Sequence, residues 1–95
     1  MKIEKQSNDV FKVTVSGRTT TQHEVIITDG VHQDLTNGQV TKKELLDFSF
    51  KFLLDREPNT SILSSFEITV IARYFPEYIS MKLNLISINL YPPLN

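Results

Sequence analysis

Apolar and polar side chains alternate along two segments near the start of the chain, and each segment predicts a β-strand. Every second residue of Val10 to Ser16 is apolar, and Thr21 to Thr28 repeats the pattern with His23 on the apolar face. A two-residue period is typical of a strand with one buried face. Because Gly17 lies in the polar link between the two runs, the sequence predicts an N-terminal β-hairpin.

The clearest element is a helix in the middle of the chain. It follows Val31 to Val40, a polar stretch that predicts a loop. Thr41 and Glu44 have the spacing of a capping box, in which each side chain bonds the backbone N–H of the other residue. Pro58 cannot continue a helix and disfavours helical geometry in the residue before it. We therefore expect the helix to run from Thr41 to about Glu57.

This helix is apolar around most of its circumference. At about 100° per residue, four charged side chains fall together in a stripe roughly 80° wide. The stripe consists of Glu44, Asp47, Lys51 and Asp55. An ordinary surface helix has an apolar arc of roughly 100°. We therefore expect this helix to be covered on more than one side, by a sheet and by a further element.

Two more patterns follow in the last third of the chain. Ser65 to Phe75 predicts a second helix, because a capping-box spacing precedes apolar residues at i, i+3, i+4 and i+7. The alternation of Phe66, Ile68 and Val70 leaves a strand as the alternative. From Tyr78 onward, apolar residues alternate again with one change of phase, which predicts one bulged strand or two short strands.

Together these elements predict an α+β fold in a single domain. We expect the N-terminal hairpin and the C-terminal strand or strands to form an antiparallel sheet, with two helices packed on one face. Residues 1–9 are expected to be a flexible N-terminal segment, 10–80 the core of the domain and 81–95 a C-terminal β extension.

Charge is distributed unevenly along the chain. Ten Lys and Arg balance eleven Asp and Glu, but only Lys82 among them lies beyond residue 77. Balanced charge argues against a nucleic-acid-binding protein, which usually carries a basic excess. The chain has no cysteine, as is common in a reducing compartment, and no run of 18 apolar residues. The sequence therefore predicts a cytoplasmic protein that neither enters nor crosses a membrane.

A pattern across the middle of the chain resembles a family of short, uncharacterised bacterial proteins, a domain of unknown function. The pattern consists of F-x-F-L-L-x-R-E-P from Phe50, S-I-L-x-x-F from Ser61 and R-Y-F-P-E-Y from Arg73. The likeness covers about residues 10–80. The resemblance implies a small α+β domain of bacterial origin, and it brings no catalytic residues.

Six residues are candidates for binding. The run from Arg73 to Tyr78 is rich in Arg, Tyr and Phe, which are enriched at binding hot spots; the alternative is a packed corner of the core. Glu57 lies at the negative end of the predicted helix, where a carboxylate is unfavourable, so we expect it to pair with a cation such as Arg73. The candidate binding residues are Arg56, Glu57, Arg73, Tyr74, Tyr78 and His23.

No motif in the sequence indicates catalysis or a bound cofactor. His32 lies near Asp29 and Asp34, but the three match no recognised spacing of metal ligands. The sequence also lacks a Gly-rich phosphate loop and a nucleophile elbow. We therefore predict no metal, no cofactor and no catalytic residue.

The scarcity of charge after residue 77 favours an interaction function. An exposed apolar strand is an aggregation risk unless its edge is paired or its face covered, and two copies related by a two-fold axis can do both. The sequence predicts a non-enzymatic protein-interaction module that binds a protein partner, or itself as a homodimer, through Ile79, Met81, Leu83, Leu85, Ile86 and Ile88. One alternative is that this segment completes the sheet of its own monomer. The other is a small-molecule or metal-binding regulatory domain built on His23, Arg56, Glu57 and Arg73.

Overall fold

Four strands lie side by side in one sheet in the computed structural model, which describes residues 1–80. In chain order, which is also their order in the sheet, the strands are β1 (Lys2–Lys5), β2 (Val10–Ser16), β3 (Thr20–Ile26) and β4 (Ser65–Glu67). The predicted hairpin is confirmed as β2 and β3, which pair antiparallel. The sheet is mixed rather than wholly antiparallel, because β4 runs parallel to β3. A parallel neighbour requires a crossover connection, and the helices between β3 and β4 provide it.

The first strand occupies a segment for which the sequence predicted no structure. Lys2 to Lys5 pair antiparallel with β2, and Ile3 lies opposite Val13. Ile3 is the only apolar residue of β1 and packs against the core. One apolar residue among charged ones is too short a pattern to show alternation, so the strand depends on its tertiary contacts.

Helices and a short helical turn fill the remaining segments. They are α1 (Asp29–Thr36), α2 (Lys42–Leu54), a 3-10 helix (Asn59–Ser61) and α3 (Val70–Tyr74). The predicted loop at Val31 to Val40 is wrong over most of its length, because α1 occupies it. The Thr28 hydroxyl caps α1 by accepting from the Val31 N–H at 3.2 Å, and Asn37 ends it in the left-handed conformation. This helix is mostly polar, which is why no apolar period revealed it.

The central helix α2 is confirmed together with its cap. The Thr41 Oγ1 accepts from the Glu44 N–H at 3.0 Å, and the Glu44 carboxylate accepts from the Thr41 N–H at 2.9 Å. The helix ends at Leu54, three residues earlier than predicted. The N–H groups of Arg56 and Glu57 both donate to the Leu53 carbonyl at 2.9 Å, so the backbone tightens into a turn before it reaches the proline.

The predicted helix at Ser65 to Phe75 is wrong in its first part. Ser65 to Glu67 form β4 instead, held against β3 by hydrogen bonds from Glu24 N–H to the Ser64 carbonyl and from Ile68 N–H to the Ile26 carbonyl. Only Val70 to Tyr74 are helical. Residues 78–80 are also helical, where the alternation predicted a strand. The rest of the predicted C-terminal strand, from Met81 onward, lies outside the described residues.

The core lies between the sheet and α2. The inward side chains of the strands meet the apolar face of α2, where Phe50 contacts the rings of His23 and Phe66 with centroid distances of 5.5 and 6.2 Å. A second side of α2 is covered by the chain after α3, because the Phe52 ring packs edge-on against Phe75 and Tyr78. This confirms the expectation that the helix is covered on more than one side.

Candidate functional site

His23 lies inside the domain, where both of its ring nitrogens bind other protein groups. Its Nδ1 lies 2.8 Å from the Leu63 carbonyl oxygen, which can only accept, so Nδ1 carries the proton. In the neutral ring Nε2 then accepts from the Thr21 hydroxyl at 2.8 Å. The Thr21 hydroxyl oxygen accepts in turn from the Asn59 amide at 2.9 Å. His23 therefore joins β3 to the segment that precedes β4. No motif or period in the sequence indicates the part played by Asn59.

Arg56 is held by contacts to α2 and to the segment after α3. Its Nε donates to the Glu77 carboxylate at 3.1 Å and its Nη1 to the Phe52 carbonyl at 3.0 Å. The guanidinium carbon lies 3.6 Å from the centroid of the Phe52 ring, which adds a cation–π contact. Arg56 at the end of α2 thus pairs with Glu77, and its Nη1 also lies 3.8 Å from the Asp55 carboxylate. The expected pair between Glu57 and Arg73 is not formed in the described part of the chain.

The pKa of the Glu77 carboxyl is lowered by this arrangement. The largest cause is a hydrogen bond from its own backbone N–H, and the bond from Arg56 is the second. A similar effect occurs at the start of α1, where Lys42 Nζ lies 2.8 Å from Asp29 Oδ1. The hydrogen bond from Lys42, followed by that from Asn8, lowers the pKa of Asp29.

Tyr78 is a core residue rather than a surface residue. Its ring lies between Phe48 and Phe52, and its hydroxyl is 2.7 Å from Ser49 Oγ. Ser49 Oγ itself donates to the Leu45 carbonyl at 2.7 Å, so Tyr78 is the donor in the bond between the two hydroxyls. Burial raises the pKa of Tyr78 to about 12. For this residue the structure favours the packed-corner alternative over recognition.

The one predicted binding residue with a large exposed aromatic surface is Tyr74. It is 68% exposed at the end of α3, and Leu63 is 47% exposed across from it. Between them lies a cavity of about 280 Å³, here called the apolar groove, lined chiefly by Leu53, Ile62, Leu63, Phe66, Tyr74 and Phe75. Glu57 is the one charged residue in its described lining. The structure thus brings Glu57 and Tyr74 together, while Arg56 and His23 are bound elsewhere.

Leu63 was not a sequence candidate, although the sequence carried a signal for it. Neighbouring residues of an extended segment point in opposite directions. Ile62 has extended backbone geometry and is buried, so Leu63 has to face outward. Two adjacent large apolar residues between polar ones therefore indicate an exposed apolar side chain when the segment is extended.

The apolar groove adjoins a free edge of the sheet. Within the described chain β4 has a neighbour on one side only, since β3 is the last strand before it. Phe66, the central residue of β4, also lines the groove. In a strand, alternate backbone groups point to opposite sides, so the N–H and C=O groups of Ser65 and Glu67 face away from β3. A second strand can bind there while its side chains enter the groove.

The described residues form no cluster suited to a metal ion. His32 Nε2 lies 2.6 Å from the Val40 carbonyl, and nowhere in residues 1–80 do three His, Asp or Glu side chains converge to hold a metal ion. No helix in this part of the chain has the length and hydropathy to span a membrane. Of the predicted interface residues, Ile79 is 41% exposed, and those from Met81 to Ile88 lie outside the described part.

Fold and site define a class: a small α+β domain with an apolar groove beside the outer edge of β4, which is unpaired in the described part of the chain. Comparison with protein-family models, with curated proteins and with solved structures finds no match. The resemblance of residues 10–80 to short bacterial proteins therefore stays a prediction.

Proposed function

We propose that this protein is a non-enzymatic protein-interaction module that binds an extended, apolar protein segment in the apolar groove. The observation that carries the proposal is the position of the groove. Its lining includes the central residue of β4, a strand whose outer edge has no partner among residues 1–80. A strand added to a sheet edge gains affinity from its backbone hydrogen bonds. It gains specificity from alternate side chains that enter pockets.

The polarity of the groove supports an apolar peptide as its ligand. Its volume of about 280 Å³ lies near the lower end of the range of about 300–1,000 Å³ common for small-molecule pockets. Its lining is apolar apart from Glu57 and Ser61. Such a surface matches the side chains of a partner that carries apolar residues at every second position and little negative charge.

The same chemistry supports self-association. Beyond Ser80 the chain alternates apolar and polar residues with Lys82 as its single charge, so a second copy is one source of a suitable segment. We place the module in the cytoplasm, because a chain without cysteine needs no oxidising compartment.

Selection from a displayed library of random peptides tests the proposal. We expect the full chain to enrich peptides with alternating apolar residues. Leu63→Asp places a charge in the groove and is expected to abolish the enrichment. Thr60→Asp is the matched control, since Thr60 is exposed and does not line the groove.

Two results would contradict the proposal. One is the absence of any enriched peptide with the full chain. The other is enrichment that survives Leu63→Asp, because the binding site would then lie elsewhere on the domain.

A further inference from the structure

We infer that Asn37 is a site of deamidation, a spontaneous covalent modification, and that closure of the last turn of α1 suppresses the reaction in the folded domain. The backbone of the closed turn holds the reacting atoms apart, and they meet only when this turn opens. The inference is independent of the proposed function, since Asn37 does not line the apolar groove.

The reaction needs only Asn37, Gly38 and water. The Gly38 backbone nitrogen attacks Cγ of the Asn37 side chain, so that a new C–N bond closes a succinimide ring while the bond from Cγ to Nδ2 breaks. Nδ2 leaves as ammonia, together with the proton that the Gly38 nitrogen gives up. Water then opens the ring at either of its carbonyls, which leaves aspartate or isoaspartate at position 37. Glycine has no side chain to hinder the attack, and Asn37 is the one asparagine of the chain that precedes a glycine.

The backbone of Asn37 keeps these atoms apart in the folded domain. Asn37 ends α1 in the left-handed conformation, with φ 53° and ψ 26°. At this ψ, the tetrahedral geometry of Cα places the Gly38 nitrogen on the far side of the Cα–C bond from Cβ, whereas ring closure requires the two atoms on the same side. The Asn37 side chain is exposed to water, so it is the backbone conformation and not burial that prevents the reaction.

Hydrogen bonds within α1 hold this conformation. The Asn37 N–H donates to the Gln33 carbonyl at 2.7 Å. The Gly38 N–H, which has to react, donates to Thr36 Oγ1 at 3.1 Å. Thr36 is fully buried, and its hydroxyl donates in turn to the His32 carbonyl at 2.7 Å. A buried hydroxyl thus binds the attacking nitrogen, and the last turn of the helix has to open before that nitrogen can rotate toward Cγ.

The last turn of α1 is suited to local opening. A helix of eight residues is too short to be stable on its own, and Thr36 is its one buried residue. Its start is held by the ion pair of Asp29 with Lys42 at 2.8 Å, but its last turn has no basic side chain to complement the helix dipole. Segments with few buried contacts open without unfolding of the whole domain. We therefore expect the reaction to proceed through local opening of α1.

Both products weaken the closed turn. Aspartate at position 37 places a negative charge at the negative end of α1, where it is unfavourable. Isoaspartate directs the main chain through Cβ, so the Gly38 nitrogen lies one carbon atom farther along the chain and no longer in the position that bonds Thr36. The modification is therefore expected to leave the end of α1 open.

Mass spectrometry of peptides from the full chain tests the inference. The protein is incubated at mildly alkaline pH, either folded or in guanidinium chloride, and chromatography separates the peptides with asparagine, aspartate and isoaspartate at position 37. We expect conversion in the unfolded chain to be more than about tenfold faster than in the folded protein, because only the open fraction reacts. Equal rates would overturn the inference, and so would the absence of conversion at position 37 in guanidinium chloride.

Two helix-cap variants distinguish local opening of α1 from unfolding of the whole domain. Thr28→Ala removes the hydroxyl that caps α1, and Thr41→Ala is the matched control, because it removes the equivalent cap of α2. Circular dichroism first establishes that both variants are folded, and each rate is divided by the rate of the same variant in guanidinium chloride. We expect Thr28→Ala to speed conversion in the folded protein by about fivefold, the change in open population that loss of a helix cap implies, and Thr41→Ala to leave it unchanged. Equal acceleration by both variants, or none by Thr28→Ala, would overturn the inference.

Hydrogen exchange tests the expected consequence of the modification. Protein with isoaspartate at position 37 is separated from unmodified protein by chromatography, and the exchange of backbone amides in α1 is compared between the two. We expect faster exchange at Thr36 and Asn37 in the modified protein, with α2 as the internal reference. Unchanged exchange in α1 would contradict the inference that the closed turn depends on the position of the Gly38 nitrogen.

Discussion

Replacing Gly17 with alanine tests how rigidly Asn59 is held. The Asn59 Nδ2 donates to the Thr19 carbonyl at 2.8 Å, to Thr21 Oγ1 at 2.9 Å and to the Val15 carbonyl at 3.3 Å. Because both carbonyls can only accept, Nδ2 has to face them and Oδ1 has to face Gly17. A Cβ added at Gly17 would lie 3.0 Å from that Oδ1, closer than most real contacts of this kind.

Whether Gly17→Ala lowers or raises the free energy of unfolding depends on the presence of the Asn59 side chain. To make room for the methyl group, the amide has to shift and weaken its hydrogen bonds, which are worth about 1 kcal/mol each. Gly17→Ala should therefore lower the free energy of unfolding by about 1 kcal/mol. With Asn59→Ala present the obstacle is gone, and Gly17→Ala should raise it by about 0.5 kcal/mol, because alanine restricts the unfolded chain. Asn59→Ala alone should cost about 2 kcal/mol.

Urea unfolding of the wild type, the two single variants and the double variant measures all four free energies. The cycle is expected to give a coupling of about 1.5 kcal/mol, well above the 0.3–0.5 kcal/mol or so by which independent sites deviate from additivity. If Gly17→Ala has the same effect in both backgrounds, the reasoning is refuted and Asn59 is not the group that requires glycine at this position.

Three further predictions concern α2 and its neighbours. With the pKa of Tyr78 raised to about 12, the unfolded chain loses the phenol proton first. The free energy of unfolding should then fall between pH 10 and 12, by about 1.4 kcal/mol at pH 11; an equal fall in Tyr78→Phe would contradict this. Thr41→Ala should cost about 1 kcal/mol in urea unfolding and Thr41→Ser much less; equal costs would argue against the cap. Arg56→Gln should raise the pKa of Glu77 only part of the way to its ordinary value in a carbon-13 NMR titration. The hydrogen bond from the Glu77 backbone N–H, which is the larger cause of the lowered pKa, remains in the variant. A full return to the ordinary pKa would show that Arg56 is the larger cause.

The sequence correctly predicted the elements whose characteristic pattern involves residues only a few positions apart. The capping box at Thr41 and the alternation in β2 and β3 each concern residues a few positions apart, and the structure confirms all three elements. The wide apolar surface of α2 also predicted that two layers would cover it. On one side of α2, Phe50 packs against His23 of the sheet. On the other side, Phe52 packs against Tyr78.

Elements that depend on distant partners were missed. β1 is stabilised by pairing with β2, and α1 is a polar helix fixed by its caps. The pairing of Arg56 with Glu77 joins residues 21 positions apart, and the hydrogen bond from His23 to Leu63 joins residues 40 positions apart. Neither a period nor a motif reports such contacts, because the connecting segments set which side chains meet.

The apolar groove arises from the segment whose pattern was ambiguous. Ser65 to Phe75 fits both a helix and a strand, and the structure uses each in turn. Phe66 is the central residue of β4 in the sheet. Ile71 belongs to α3, and its side chain is buried in the core. One continuous helix would have left β3 as the last strand. Because the segment changes from strand to helix instead, the outer edge of β4 is unpaired within residues 1–80, and Leu63 and Tyr74 both line the groove. The pattern of Ser65 to Phe75 fits both a helix and a strand, and this ambiguity made the predicted helix wrong in its first part. The same change from strand to helix forms the candidate site.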